Sequence, residues 1–467
     1  MSTPSAAIEG QTLSDRSFVG HPKGLGYLAF SEAWERFSYY SMQTLLVLYM
    51  VRQLLHPGHI EQIAGFAPLR AFLERVYGGG NPLSVIALSS AIFGLYTGLV
   101  YLTPIAGGVV ADRWIGKTRA VTIGAVLMTV GHFLMAFDVS FLIALACLLI
   151  GVGLFKGNIA SQVGDLYAPD DLRRADAFHI YFLFINGAVI VAPLIAGTLG
   201  ESYGWHYGFG AAGIGMLISL AVYRSGRKWL PPETVRTRAS TAARKPFTSD
   251  ERKALWVLIL ILPVMAIAAV ANQEVFNAYL LWVPENIDLT FFGHTMPTTW
   301  LVTLDATMSI GCLAGAVGFW RLWSKRYREP SEIVKLALGT AIATLGQLTL
   351  VSAALVSAGG HKASPWWIVA FEFLNSAGFA NMFPVGLALF ARASPKAVAG
   401  TMIGVYYGHL FLANMFVGWL GGLLERLPGP QFWLLHAALV GGAAILLALA
   451  AAVFGRLLAP AGETAKS

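Results

Sequence analysis

Three ionisable side chains crowd into "SEAWERFSYY", Ser31–Tyr40: Glu32, Glu35 and Arg36. A fourth, Lys156, stands alone in the apolar run "GVGLFKGNIASQVGDLY". On a helix, Glu32, Arg36, Tyr39 and Gln43 fall within about 60° of one another, with Glu35 and Tyr40 beside them. Trp34, Phe37 and Ser38 occupy the other side. Each charge at a bilayer centre costs about 2.5–3.5 kcal/mol on insertion scales, so these groups must share a polar cavity and neutralise one another. Lys156 shares its face with Val152, Ile159, Ala160 and Val163, and mid-helix it cannot reach water. It needs a carboxylate, and Glu32 and Glu35 are the candidates in this half of the chain. A static fastening of two helices needs one acid. Two acids leave a group free to take up and release a proton, which is the chemistry of a proton-coupling site.

The surrounding composition sets the medium. The chain has 467 residues, of which 56% are hydrophobic and 12% charged, with a mean hydropathy of +0.63. A soluble domain carries about 25% charged residues, so this is an integral membrane protein. Apolar windows long enough to span the hydrocarbon lie near residues 28–51, 84–110, 118–137, 141–164, 176–199, 207–224, 254–283, 299–320, 333–357, 366–391, 398–423 and 431–455. The expected fold class is all-α integral membrane, with twelve transmembrane helices. With both termini cytoplasmic, 25 of the 32 Lys and Arg fall inside, five outside, and Arg36 and Lys156 within helices. That asymmetry satisfies the positive-inside rule and explains the net charge of +7 without a nucleic-acid partner. Cys147 and Cys312 lie in separate apolar windows, with no disulfide or metal spacing.

The longest polar interval, "RSGRKWLPPETVRTRASTAARKPFTSDERK", follows the sixth window. The expected organisation is a cytoplasmic tail 1–27, a six-helix bundle 28–224, a basic linker 225–253 too short for an extra helix pair, a second bundle 254–456 and a tail 457–467. Between helices two and three, "GGVVADRWIGKTR" resembles the loop motif of the major facilitator superfamily, and the resemblance implies a gating role for Asp112 and Arg113.

Further motifs carry a narrower resemblance. "ExxERFxYY" at Glu32–Tyr40, "GLFKGN" around Lys156, "FxxIN" at Phe182–Asn186 followed by "APLIAG", and "GWHYGFGAAG" together resemble the proton-coupled oligopeptide transporter family, within the major facilitator superfamily. The resemblance implies proton-driven import of di- and tripeptides by alternating access. It implies that Arg36 receives the peptide carboxylate, that Glu32 and Glu35 couple protons with Lys156, that Tyr39, Tyr40 and Tyr96 line the pocket, and that Asn186 binds peptide backbone. A guanidinium fork suits a planar carboxylate, and tyrosines supply ring surface and a hydroxyl.

The C-terminal half departs from the family pattern. "GFANMFPVGL" puts Phe379 where the family has a helix-10 glutamate; the nearest acid on that helix is Glu372. Asp305 takes the place of a substrate-binding asparagine, "NQEVFN" sets Asn272 and Glu274 in helix 7, and Tyr406 replaces a tryptophan. The expectation is that Asp305 or Glu274 supplies the negative charge for the substrate's amino group, with Glu372 as the rival. His409 reads as a core histidine. These departures leave another cargo open: a modified amino acid, a peptide-like drug or an anion such as nitrate. A transport-dead sensor would carry a large signalling extension, and an intramembrane enzyme would need a His-Glu metal pair or a nucleophile elbow, neither of which the sequence offers. The expected protein is therefore no enzyme and uses no cofactor or metal. Its partners are a small peptide, protons and the lipid bilayer, it works as a monomer, and it resides in a bacterial inner membrane.

Overall fold

In a computed structural model, residues 15–168, 171–232, 247–291, 293–395 and 397–458 are described. Among them, twelve long helices dominate. They are α1 Lys23–Tyr49, α2 Val85–Val110, α3 Lys117–Leu134, α4 Phe141–Asp165, α5 Arg173–Ala192, α6 Trp205–Ser225, α7 Ser249–Gln273, α8 Trp300–Trp323, α9 Glu332–Ser357, α10 Trp366–Ala393, α11 Ala399–Gly421 and α12 Gly429–Leu458. Ten are long and apolar enough to cross a membrane; α1 and α3 are the others. Every 18-residue stretch of α1 includes Glu32, Glu35 and Arg36, and α3 is diluted by Lys117, Arg119 and His132. Large apolar side chains such as Leu183, Val317 and Val453 stand exposed on helix surfaces, as suits a lipid-facing exterior and no soluble protein.

The chain divides into two compact units, residues 1–68 with 102–239 and residues 69–101 with 240–467. In the first, α1 packs on α5 and α6, and α3 packs on α4 and α6. In the second, α7 packs on α11 and α12, α9 on α10 and α12, and α8 on α10. Helix α2 contributes its first part, to Tyr101, to the second unit and the remainder to the first. The centre of the basic linker, residues 233–246, and residues 1–14 and 459–467 of the two tails lie outside the described residues, and so does the expectation that the linker holds no extra helix pair.

Several boundaries differ from the sequence expectation for identifiable reasons. Helix α1 begins at Lys23, directly after Pro22, whose fixed φ suits a helix start. The expected seventh span, 254–283, is interrupted. It opens on a capping box in which the Glu251 amide donates to Thr248 Oγ1 at 3.2 Å and the Thr248 amide to Glu251 Oε2 at 2.7 Å. It then breaks after Gln273 into a tight turn Glu274–Phe276 and a short helix Ala278–Asn286. An amphipathic helix Phe66–Tyr77 and a two-stranded hairpin, Thr290–Phe291 with His294–Thr295, lie outside the spans and were not foreseen. Cys147 and Cys312 are both free thiols.

Candidate functional site

In the first unit the polar stripe of α1 is almost wholly buried. Glu32 is 3% exposed, Glu35 0% and Arg36 4%. Arg36 Nε lies 3.0 Å from Glu32 Oε1 and 2.5 Å from Glu35 Oε2. One guanidinium therefore faces both acids, as the helical spacing required. The charges meet without hydrogen-bond alignment: both Glu35 oxygens, Glu32 Oε2 and Arg36 Nη2 make no hydrogen bond. Such atoms are costly to bury unless another partner visits them. Lys156, part-buried on α4, interacts electrostatically with Glu35, Glu32 and Arg36. The four groups thus form one neutral cluster of two acids and two cations.

Aromatic rings enclose it. The Arg36 guanidinium lies 5.6 Å from the Tyr39 ring centroid, and Tyr39 meets Tyr40 edge-on at 5.3 Å. Tyr181 on α5, fully buried, stands beside Glu32, although its hydroxyl completes no regular hydrogen bond. The motif readings missed Tyr181. Its signal was an intramembrane tyrosine within "IYFLFIN", on the same helix as Asn186. Asn186 itself is part-buried, and its Nδ2 donates to the Phe182 carbonyl at 2.8 Å, within its own helix.

The loop motif is built on close helix approach. A Cβ on Gly107 would sit 2.0 Å from the Gly153 carbonyl oxygen of α4, and one on Gly153 would sit 2.9 Å from the Thr103 carbonyl oxygen of α2, so both positions require glycine. Asp112 and Arg113 lie in a wide turn Ala111–Ile115, part-buried and exposed respectively. Gly116 ends it at φ +80°, a left-handed value that favours glycine. The ion pair tying this loop to α4 comes from the end of the motif: Lys117 Nζ donates to Asp165 Oδ2 at 2.5 Å and to Ser161 Oγ at 2.7 Å.

In the second unit the expected residues separate into distinct places. A cavity of about 20 Å³, room for about one water, is lined by Asn272, Asn375, Phe379, Tyr406 and His409 among others. Tyr406 is fully buried and donates to the Phe383 carbonyl at 2.6 Å. His409 turns Nδ1 to the Tyr406 carbonyl, the behaviour of a core histidine. Glu274 does not line the cavity. Its Oε1 accepts from Asn277 Nδ2 at 3.1 Å and from the Ala278 amide at 3.2 Å, and its Oε2 faces His436 Nε2 at 3.7 Å. Asp305, by contrast, lies against Glu372, with Tyr279 beside them. The two acids offered by the sequence as rivals are neighbours. Tyr96 on α2 also belongs to this unit and is 4% exposed.

Residues 118–242 and 232–430 match the sequence profile described as the POT family. A peptide transporter of Yersinia enterocolitica is 28% identical over 515 residues, covering 94% of this chain and 96% of that protein. A di-/tripeptide transporter of Lactococcus lactis is 30% identical over 459 residues, covering 84% of this chain and 88% of that protein. Among solved structures, a variant of the peptide transporter POT in complex with alafosfalin superposes with a TM-score of 0.83 at 26% identity, covering 98% of this chain and 99% of that one. The fold is therefore that of a major facilitator, a multi-pass membrane transporter. The chain belongs to the POT family, the proton-coupled oligopeptide transporters.

Proposed function

We propose that this protein imports di- and tripeptides together with protons by alternating access. The observation that carries the reading is the buried cluster of Glu32, Glu35, Arg36 and Lys156, neutral as a set and incomplete in its hydrogen bonds. In the resting set, Arg36 and Lys156 are neutralised by the two acids. Protonation of Glu35 or Glu32 removes one negative charge and frees the Arg36 fork for a substrate carboxylate, which it can grip bidentately. When the peptide leaves, Arg36 reclaims its acids and the proton departs. The substrate carboxylate replaces the negative charge that protonation removed, while Lys156 faces the acid that stays ionised. One proton moving down 100 mV supplies about 2.3 kcal/mol, enough to accumulate a zwitterionic peptide roughly 50-fold.

The remaining residues support this exchange. Tyr39, Tyr40 and Tyr96 line the route, and Asn186 presents Oδ1 to a peptide amide. Asp305 offers negative charge to the substrate ammonium, while Glu274 caps the break in α7. Asp112 and Arg113 shape the cytoplasmic gate. The protein works as a monomer in a bacterial inner membrane with both termini cytoplasmic, and it changes no covalent bond of its cargo.

Binding of di-alanine and of its C-terminal amide tests the carboxylate assignment. The amide is expected to bind the wild type at least tenfold more weakly, and the difference is expected to shrink in Arg36→Lys, which keeps the charge and loses the fork. Equal affinity of the wild type for both ligands would overturn it.

A further inference from the structure

Among the described residues, the second unit buries a pair of acids with no cation acting on it. Asp305 on α8 and Glu372 on α10 are 7% and 0% exposed, and they are within reach of one another. The helix register is independent support: one turn further along each helix, Ser309 Oγ and Ser376 Oγ lie 3.2 Å apart, so α8 and α10 run side by side here. Tyr279 reaches the same spot, its ring 5.0 Å from that of Phe371. Several unpartnered polar atoms crowd this region, all of them buried: both Glu372 oxygens, Asp305 Oδ1, the Tyr279 hydroxyl, and both side-chain polar atoms of Asn375 and of Gln347. Gly346 of α9 packs on the α10 backbone at Phe371 and Asn375, and Gln347 is the next residue along α9.

The facing groups fix the charge. Tyr279 comes from the continuation of α7, Gln347 from α9 and Asn375 from α10, and none is a cation. Glu274 and His436 face each other at 3.7 Å, and His409 is turned to the Tyr406 carbonyl. Among the described residues, the ionisable groups that interact with Glu372 are Asp305 and Tyr279. Two ionised carboxylates at this depth would repel each other in a medium of low dielectric, with no counter-ion to offset the cost. The first unit solves the same problem with Arg36 and Lys156.

We propose that Asp305 and Glu372 form a second proton-binding site, holding one proton between them as an O–H···O⁻ bridge. The pair then carries a single negative charge. Asp305 is the slightly more exposed of the two acids. An ammonium group arriving at the pair supplies the missing cation, allows both acids to ionise and releases the bridging proton to water. Exchange of this proton for the substrate ammonium is a proton movement separate from that of the Glu35 cluster, and its place in the cycle rests on the proton-coupled reading above. The bridge itself does not.

Infrared spectroscopy of the purified protein in lipid tests the bridge directly, since a protonated carboxyl has its own carbonyl-stretch band. At neutral pH without substrate, the wild type is expected to show such a band. It is expected to persist in Glu35→Gln, and to be lost in Glu372→Gln and lost or shifted in Asp305→Asn. The thermal midpoint of each variant checks that it is folded, and either of the two substitutions suffices if the other fails to fold. A band unchanged by both substitutions, or no band in the wild type, would overturn the proposal. Failure of transport coupling would appear in uptake and leave this band untouched.

Discussion

Arg36 holds two buried acids at 3.0 and 2.5 Å, and its removal exposes their cost. Arg36→Ala leaves Glu32 and Glu35 with Lys156 alone, and breaking a buried pair in this way costs about 3–5 kcal/mol. The thermal midpoint of the purified variant is expected to fall by several degrees. Arg36→Lys keeps the charge and loses the planar fork, so the fold should survive while peptide affinity drops at least tenfold. A different behaviour is expected outside the membrane. The Arg173 side chain donates to Asp171 and holds that carboxyl below its ordinary value of 3.8. A depressed carboxylate contributes stability above its unfolded value and loses it only as pH falls through the lowered one. Acidification that drives transport should therefore leave this loop contact closed, and the hydrogen-exchange protection factors of residues 171–175, corrected for the intrinsic pH dependence of exchange, should be unchanged between pH 7 and pH 5.

Helix crossings explain which elements tolerate change. The Gly107 and Gly153 contact leaves no space for a side chain, so Gly107→Val should destabilise the first unit by about 1–3 kcal/mol through overpacking. Lys117 and Asp165 form a partly exposed pair, and Asp165→Asn should cost at most about 1 kcal/mol. Comparing the two thermal midpoints separates packing from surface charge. The helices themselves were legible because apolar windows of membrane length recur along the chain. The break at Asn277 was not, because "ANQEVFNAYLLWV" is apolar on both sides and the turn is set by Glu274 accepting from Asn277 and Ala278. The α1 cluster was legible because all its α1 members share one helix face. The pairing of Asp305 with Glu372 joins two helices, and the register between α8 and α10 is set by packing that spacing does not reveal. Glu274 was misleading for the same reason: it follows the family's acidic position by two residues, yet the turn carries it to His436.

At the scale of the whole molecule, the two units handle buried charge differently. The first balances two acids with two cations, and the second leaves two acids to a mobile cation. A transporter that binds a zwitterion has use for both: a fork that becomes free when an acid is protonated, and an acid pair that an ammonium can discharge. The account stands or falls on coupling, which uptake of di-alanine into proteoliposomes measures most directly. With an inward pH gradient, the wild type should accumulate the peptide and Glu35→Gln should show no response to the gradient while still exchanging labelled for unlabelled peptide. Uptake by the wild type that is indifferent to the gradient would contradict it.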